Sequence, residues 1–154
     1  MEKEGVKNVH GRVRHNTSEK INRQIDRNMF RNIRKYRNYS KEAITGRIKD
    51  LKKEWDIERT LEVNASSLAM IGIILGSLVH RRWNILSGIV MSFLLLHGLQ
   101  GWCPPLPLFR RMGIRSRQEI EEEIYALKIV RGDFGNINPD TKPEEILEIL
   151  RNKG

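Results

Sequence analysis

The stretch that decides the fold lies in the middle of the chain. Residues 63–79 read VNASSLAMIGIILGSLV without a charged side chain, and residues 84–102 read NILSGIVMSFLLLHGLQGW, uncharged apart from what His97 can carry. As helices rising about 1.5 Å per residue, the two runs reach roughly 25 and 28 Å, close to the roughly 30 Å hydrocarbon core of a bilayer. The competing reading is a pair of core helices in a soluble bundle. Neither run has a polar face, and the rest of the chain offers little apolar surface to bury them, so that reading is disfavoured. Between the runs sits His80-Arg81-Arg82-Trp83, long enough only for a turn, which makes the two spans antiparallel neighbours. The expected fold is an all-α membrane protein: a two-helix transmembrane hairpin with amphipathic cytoplasmic helices on both sides.

Working outward, charge divides the 154 residues into three pieces. Residues 1–59 hold 17 of the 28 Lys and Arg against 9 Asp and Glu, whereas residues 60–114 carry only Glu62, Arg81, Arg82, Arg110 and Arg111. Residues 115–154 are mildly acidic, with 7 basic and 9 acidic side chains. The expected organisation is a basic helical cytoplasmic segment at 1–60, the hairpin at 61–112 with spans at about 63–79 and 84–102, and an acidic helical segment at 113–154. A basic arm alone suits nucleic-acid phosphates or anionic headgroups equally. Beside apolar spans it reads as the positive-inside signal, so the expected partner is a lipid bilayer through its anionic headgroups, and nucleic acid is not expected. With far more Lys and Arg before the first span and after the second than in the turn, both termini are assigned to the cytoplasm. Trp83 and Trp102 are candidate interface anchors at opposite ends of the second span. No secretory signal is expected, since about sixty polar and basic residues precede the first apolar run.

Ala65, Ala69, Gly72 and Gly76 recur on one face of the first span, with a GxxxG match at Gly72 and Gly76. Ser87, Gly88, Ser92, Gly98 and Gly101 are offered by the second span. Such a seam would close the hairpin or serve a homodimer. Before the spans, Thr17 or Ser18 caps a helix carrying Ile21, Ile25, Met29, Ile33 and Tyr36. Ser40 caps another carrying Ile44, Ile48, Leu51 and Trp55, which is expected to run unbroken into the membrane or to bend near 64–67. After the spans, Pro104, Pro105 and Pro107 predict an extended or turning exit. Ser116-Arg117-Gln118-Glu119 is a capping box for a helix with Ile120, Ile124, Leu127 and Val130 on its apolar face and Gly132 at its end, and Glu119, Glu121, Glu122 and Glu123 complement its dipole. Thr141-Lys142-Pro143-Glu144 signals a last short helix. The acidic C-terminal helix is expected to dock on the basic N-terminal ones.

Chemistry is sparse. His97 lies about five residues inside the second span, and an ionisable group there is a functional candidate by default. Gln100 and Cys103 follow it, and the sharp chemical readings are a haem or metal ligand at His97 or a His97-assisted Cys103 thiolate handling sulfur or redox equivalents. A cross-hairpin hydrogen bond for His97 and a small apolar filler role for Cys103 are the simpler ones. No clustered Cys, His or carboxylate motif has metal-ligand spacing, and no nucleotide-binding or nucleophile motif is present. Neither catalysis nor a cofactor is therefore expected.

Glu54-Trp55-Asp56-Ile57-Glu58-Arg59, His80-Arg81-Arg82-Trp83, Gln100-Gly101-Trp102-Cys103-Pro104-Pro105-Leu106-Pro107 and Gly132-Asp133-Phe134 together resemble the bacterial YgaP-like transmembrane domain family over more than half of the chain. The Gly-Trp-Cys-Pro-Pro run followed by Gly113-Ile114 is the most specific part. The resemblance implies an inner-membrane helical hairpin of largely unassigned molecular function. Some relatives fuse that hairpin to a rhodanese domain, for which this chain has no room, so sulfurtransferase activity does not carry over. The functional expectation is a small inner-membrane anchor or interaction module. The alternatives are a thiol or sulfur-handling accessory protein using Cys103 and an accessory subunit of a larger membrane complex.

Overall fold

The computed structural model describes residues 11–135 together with Thr141, Glu145 and Ile146. Among the described residues the secondary structure is entirely helical, in the order α1 (Arg12–His15), α2 (Glu19–Tyr36), α3 (Lys41–Lys53), α4 (Ile57–Leu78), α5 (Trp83–Gln100), α6 (Leu106–Arg111) and α7 (Arg117–Arg131). Most of the expected last helix falls outside the described residues.

Local signals place most of these boundaries. Ser18 stands at the N-cap of α2, although its hydroxyl makes no capping bond. Ser40 accepts from the Ala43 amide at the start of α3. At α7 the Ser116–Glu119 capping box is complete in both directions, and Gly132 ends the helix with φ 88°, a backbone region that glycine enters without strain.

Two expectations are corrected. The long helix from Ser40 neither runs unbroken nor bends near 64–67. It stops at Lys53, Glu54 takes an extended conformation, and Asp56 caps a new helix by accepting from the Arg59 amide at 2.6 Å. An aspartate three residues before a free amide satisfies one of the donors that a helix start leaves orphaned, so the chain restarts there without penalty. The three prolines also do not exclude helix: Pro105 and Pro107 occupy the N-cap and first turn of α6, where a missing N–H removes no intrahelical bond.

Two helices, α4 and α5, are long and apolar enough to cross a membrane. They lie against each other, and the contacts run in opposite chain directions: Gly76 lies against Asn84, Gly72 against Ser87 and the Trp83 carbonyl, and the Ser87 hydroxyl donates to the Ala69 carbonyl at 2.8 Å. The remaining helices pack together at one end of this pair. Ile44, Ile48 and Leu51 of α3 interlock with Ile120, Ile124 and Leu127 of α7, flanked by Tyr36 and Val130. The acidic helix α7 thus docks on the basic N-terminal helices α2 and α3. A second cluster of Val13, Ile57, Leu61, Cys103 and Leu106 joins α1 and α6 to the first turns of α4.

Candidate functional site

The seam between α4 and α5 uses only part of the expected small-residue set. Ala69 and Gly72 are buried in it and Ala65 and Gly76 are half-buried, as the four-, three- and four-residue spacings require. On α5 the seam is made by Asn84 and Ser87. A Cβ on Gly88 or Gly98 would meet nothing, and the Ser92 hydroxyl turns back to the Gly88 carbonyl of its own helix. Gly88 and Ser92 are turned away from α4, and Gly98 lines an open cleft with Glu58 and Glu62 at the foot of α4, so at the close contact α5 contributes polar side chains where glycines were expected.

The polar features gather at the other end of the pair, where α1 sits under α5. Gly101 ends α5 with φ 73°, and its Cα passes so close to Arg12 that an added side chain would overlap the Arg12 backbone. Arg12 Nη1 donates to the Gly98 carbonyl at 2.5 Å and the Asn16 amide donates to the Gln100 carbonyl at 2.9 Å. Carbonyls in the last turn of a helix lack intrahelical donors and carry the negative end of the dipole, so a guanidinium there compensates both. Gln100 contributes its backbone only, its side chain being exposed. Trp83 and Trp102, at opposite ends of α5, are both exposed.

His97 lines a cleft with Glu58, Glu62, Arg12, Gly101 and Gln118, and its Nδ1 is buried without a hydrogen-bond partner among the described residues. Cys103 lies elsewhere, buried among Ile57, Leu61 and Leu106. Burial pushes its thiol above the ordinary value, the reverse of what an activated thiolate requires. Among the described residues, no group of His, Cys, Asp and Glu is arranged to hold a metal ion.

The strongest electrostatic feature was not anticipated. Glu119 and Glu123, one turn apart on α7, are fully buried, each between arginines. Glu119 accepts from Arg110 at 2.6 and 2.8 Å, from Arg14 at 2.9 Å and from the Ser116 amide at 2.8 Å. Burial alone would raise its carboxyl, but the Arg110 hydrogen bonds and charge prevail and hold it below the usual carboxylate range. Glu123 accepts from Arg47 at 2.9 Å and from Arg115, and Arg115 also pairs with Glu54. Arg14 continues the chain to Asp26 at 2.8 Å. One network therefore ties α1, α2, α3, α6 and α7 together beneath the two apolar helices. Its traces in the sequence are the opposite charges of the two flanking segments and the four-residue spacing of Glu119 and Glu123 alongside Ile120, Ile124 and Leu127.

No protein-family model, curated protein or solved structure matches the chain.

Proposed function

We propose that the chain is a small integral membrane protein of the bacterial inner membrane, without catalysis, in which α4 and α5 form a transmembrane hairpin and the helical unit at their base acts as an anchor or interaction module on the cytoplasmic side. The observation that carries this reading is exposure. Only 17 % of the apolar stretch ending at Leu78 and 11 % of α5 is buried, and Leu68, Ile71, Ile74, Leu78, Ile85, Ile89, Phe93, Leu95 and Leu99 all point outward. A core helix would bury such side chains; helices surrounded by them require lipid or an equally apolar partner. The resemblance to YgaP-like domains supports the same assignment.

The basic arm supports cytoplasmic placement and contact with anionic headgroups, since Arg12 is fixed to the end of α5 and α2 presents exposed arginines such as Arg23, Arg27 and Arg31. Burial of Cys103 in an apolar cluster favours an anchoring role over thiol handling. Homodimerisation and a fixed partner within a larger membrane complex remain roles for the same surfaces.

Membrane fractionation with reporter fusions tests the reading. The protein should resist carbonate extraction, and reporters at Gly154 and near Arg82 should lie in opposite compartments, with Gly154 cytoplasmic. Release by carbonate, or reporters on one side, overturns it.

A further inference from the structure

We propose that α6 is an interfacial helix lying in the headgroup layer of the leaflet where the hairpin ends, with Trp102, Leu108 and Met112 against the acyl boundary and Arg111 on a phospholipid phosphate. The inference rests on the transmembrane reading of α4 and α5 and adds a third membrane contact to it. Its first support is the division of α6 into two faces. Leu106 and Arg110, four residues apart, are 0 % and 1 % exposed, whereas Leu108 and Met112, also four apart, are 60 % and 69 % exposed. At about 100° per residue Leu108 lies roughly 200° round the helix from Leu106, so the apolar pair faces directly away from the protein. A lone exposed leucine is ordinary on any surface. Here the outward face of the helix is apolar although the inward face already has its apolar partners.

Its second support is position. Leu106 packs against Ile57 and Leu61 at the foot of α4. Leu61 precedes the first residue of the uncharged run, Val63, by two residues, about 3 Å of helix rise. The buried face of α6 is thereby fixed at the level where charged residues give way to apolar ones, which is the headgroup depth of a bilayer that holds that run. The exposed Trp102 lies between α5 and α6, and tryptophan concentrates at that depth. The third support is charge. Arg110 is consumed by Glu119, Thr17 and Asn22, while its exposed neighbour Arg111 makes no ion pair among the described residues. Arg111 stands between the Leu108–Met112 face and a cleft it lines with Gln24, Asn28 and Arg47, and a guanidinium that has no ion-pair partner among the described residues suits a phosphodiester, to which it can donate two parallel hydrogen bonds.

The test is depth. Spin labels are attached to Leu108→Cys and Met112→Cys, each in a Cys103→Ala background, with Met91→Cys in α5 as the lipid reference and Ile129→Cys on the exposed face of α7 as the water reference. The full chain is reconstituted in phosphatidylcholine–phosphatidylglycerol vesicles, and the accessibility of each label to oxygen and to a water-soluble nickel chelate is measured by power saturation. Labels at 108 and 112 should show an oxygen-to-nickel ratio severalfold above that at 129 and below that at 91, and Arg111→Glu should shift the label at 112 toward water while leaving 91 unchanged. Labels at 108 and 112 that match 129, with 91 still in lipid, overturn the inference and leave the hairpin standing. A water-exposed label at 91 overturns both. If Arg111→Glu shifts nothing, the phosphate contact is wrong.

Discussion

Replacing Glu119 with Gln preserves shape and removes one charge from the centre of the buried network. In the native protein that carboxylate receives four hydrogen bonds, two from Arg110, one from Arg14 and one from the Ser116 amide, and both Glu119 and the Arg110 side chain are shielded from water. The glutamine oxygen still accepts, but its amide group then faces guanidinium donors. Arg110 is left as a buried charge whose nearest counter-ion is gone, since Arg14 keeps Asp26. Removing one partner of a buried ion pair typically destabilises by about 3–5 kcal/mol, and the retained acceptor places this variant toward about 3 kcal/mol. Glu121, exposed and paired with Arg117 on the same helix, provides the control, for which Glu121→Gln should change stability by less than about 0.5 kcal/mol. Urea unfolding of the detergent-solubilised chain, followed by pulse proteolysis at sites in α2 and α7, reads both variants. The pH dependence has a definite sign. A carboxyl held below its ordinary value in the folded state contributes stability that is complete above that ordinary value, about 4.3, and disappears as pH falls through the depressed folded value. The gap between wild type and Glu119→Gln should thus be full at neutral pH and shrink only in strong acid. Equal stabilities of Glu119→Gln and Glu121→Gln at neutral pH would refute the argument that the network holds this unit together.

Two further predictions concern the seam and the thiol. A Cβ at Gly72 would overlap the Ser87 hydroxyl and press within 3.2 Å of the Ser87 amide and the Trp83 carbonyl, so Gly72→Val should destabilise the α4–α5 pair by about 1–3 kcal/mol, whereas Gly88→Val, which meets nothing, should be neutral; thermal unfolding in detergent compares them, and equal effects would place the seam elsewhere. Cys103 should be alkylated by N-ethylmaleimide at least about tenfold faster in urea than in the native state, with the native rate still rising above the ordinary thiol range near 8.5; a fast native rate that levels off near neutral pH would restore the thiol-handling reading.

What could be read from the sequence, and what could not, follows from the range of the interactions involved. Helix existence depends on local patterns, so Ser40, the Ser116–Glu119 box and Gly132 marked real boundaries, and the spacing from Ala65 to Gly76 identified the face of α4 that meets α5. The break before α4 is equally local, since Asp56 is a capping residue, but the apolar stripe from Ile44 to Trp55 leads straight toward the uncharged run at 63–79 and masks that signal. The prolines misled for a related reason, since proline forbids only the interior of a helix and α6 begins at them. The interactions that join separate helices left far weaker traces. Nothing near Arg12 in the sequence shows that it ends on carbonyls 86 residues away, and nothing near Glu119 shows that Arg14, 105 residues earlier, will share it with Arg110. Charge balance hinted only that acidic and basic segments would meet. Its effect is more specific than that hint, because the two carboxylates buried on the apolar side of α7 are satisfied by arginines that α1, α3, α6 and the segment before α7 bring to fixed points. A hydrophobic contact alone would let these short helices slide on α7. The ion pairs remove that freedom, and with α6 fixed by Arg110 its apolar face is turned outward.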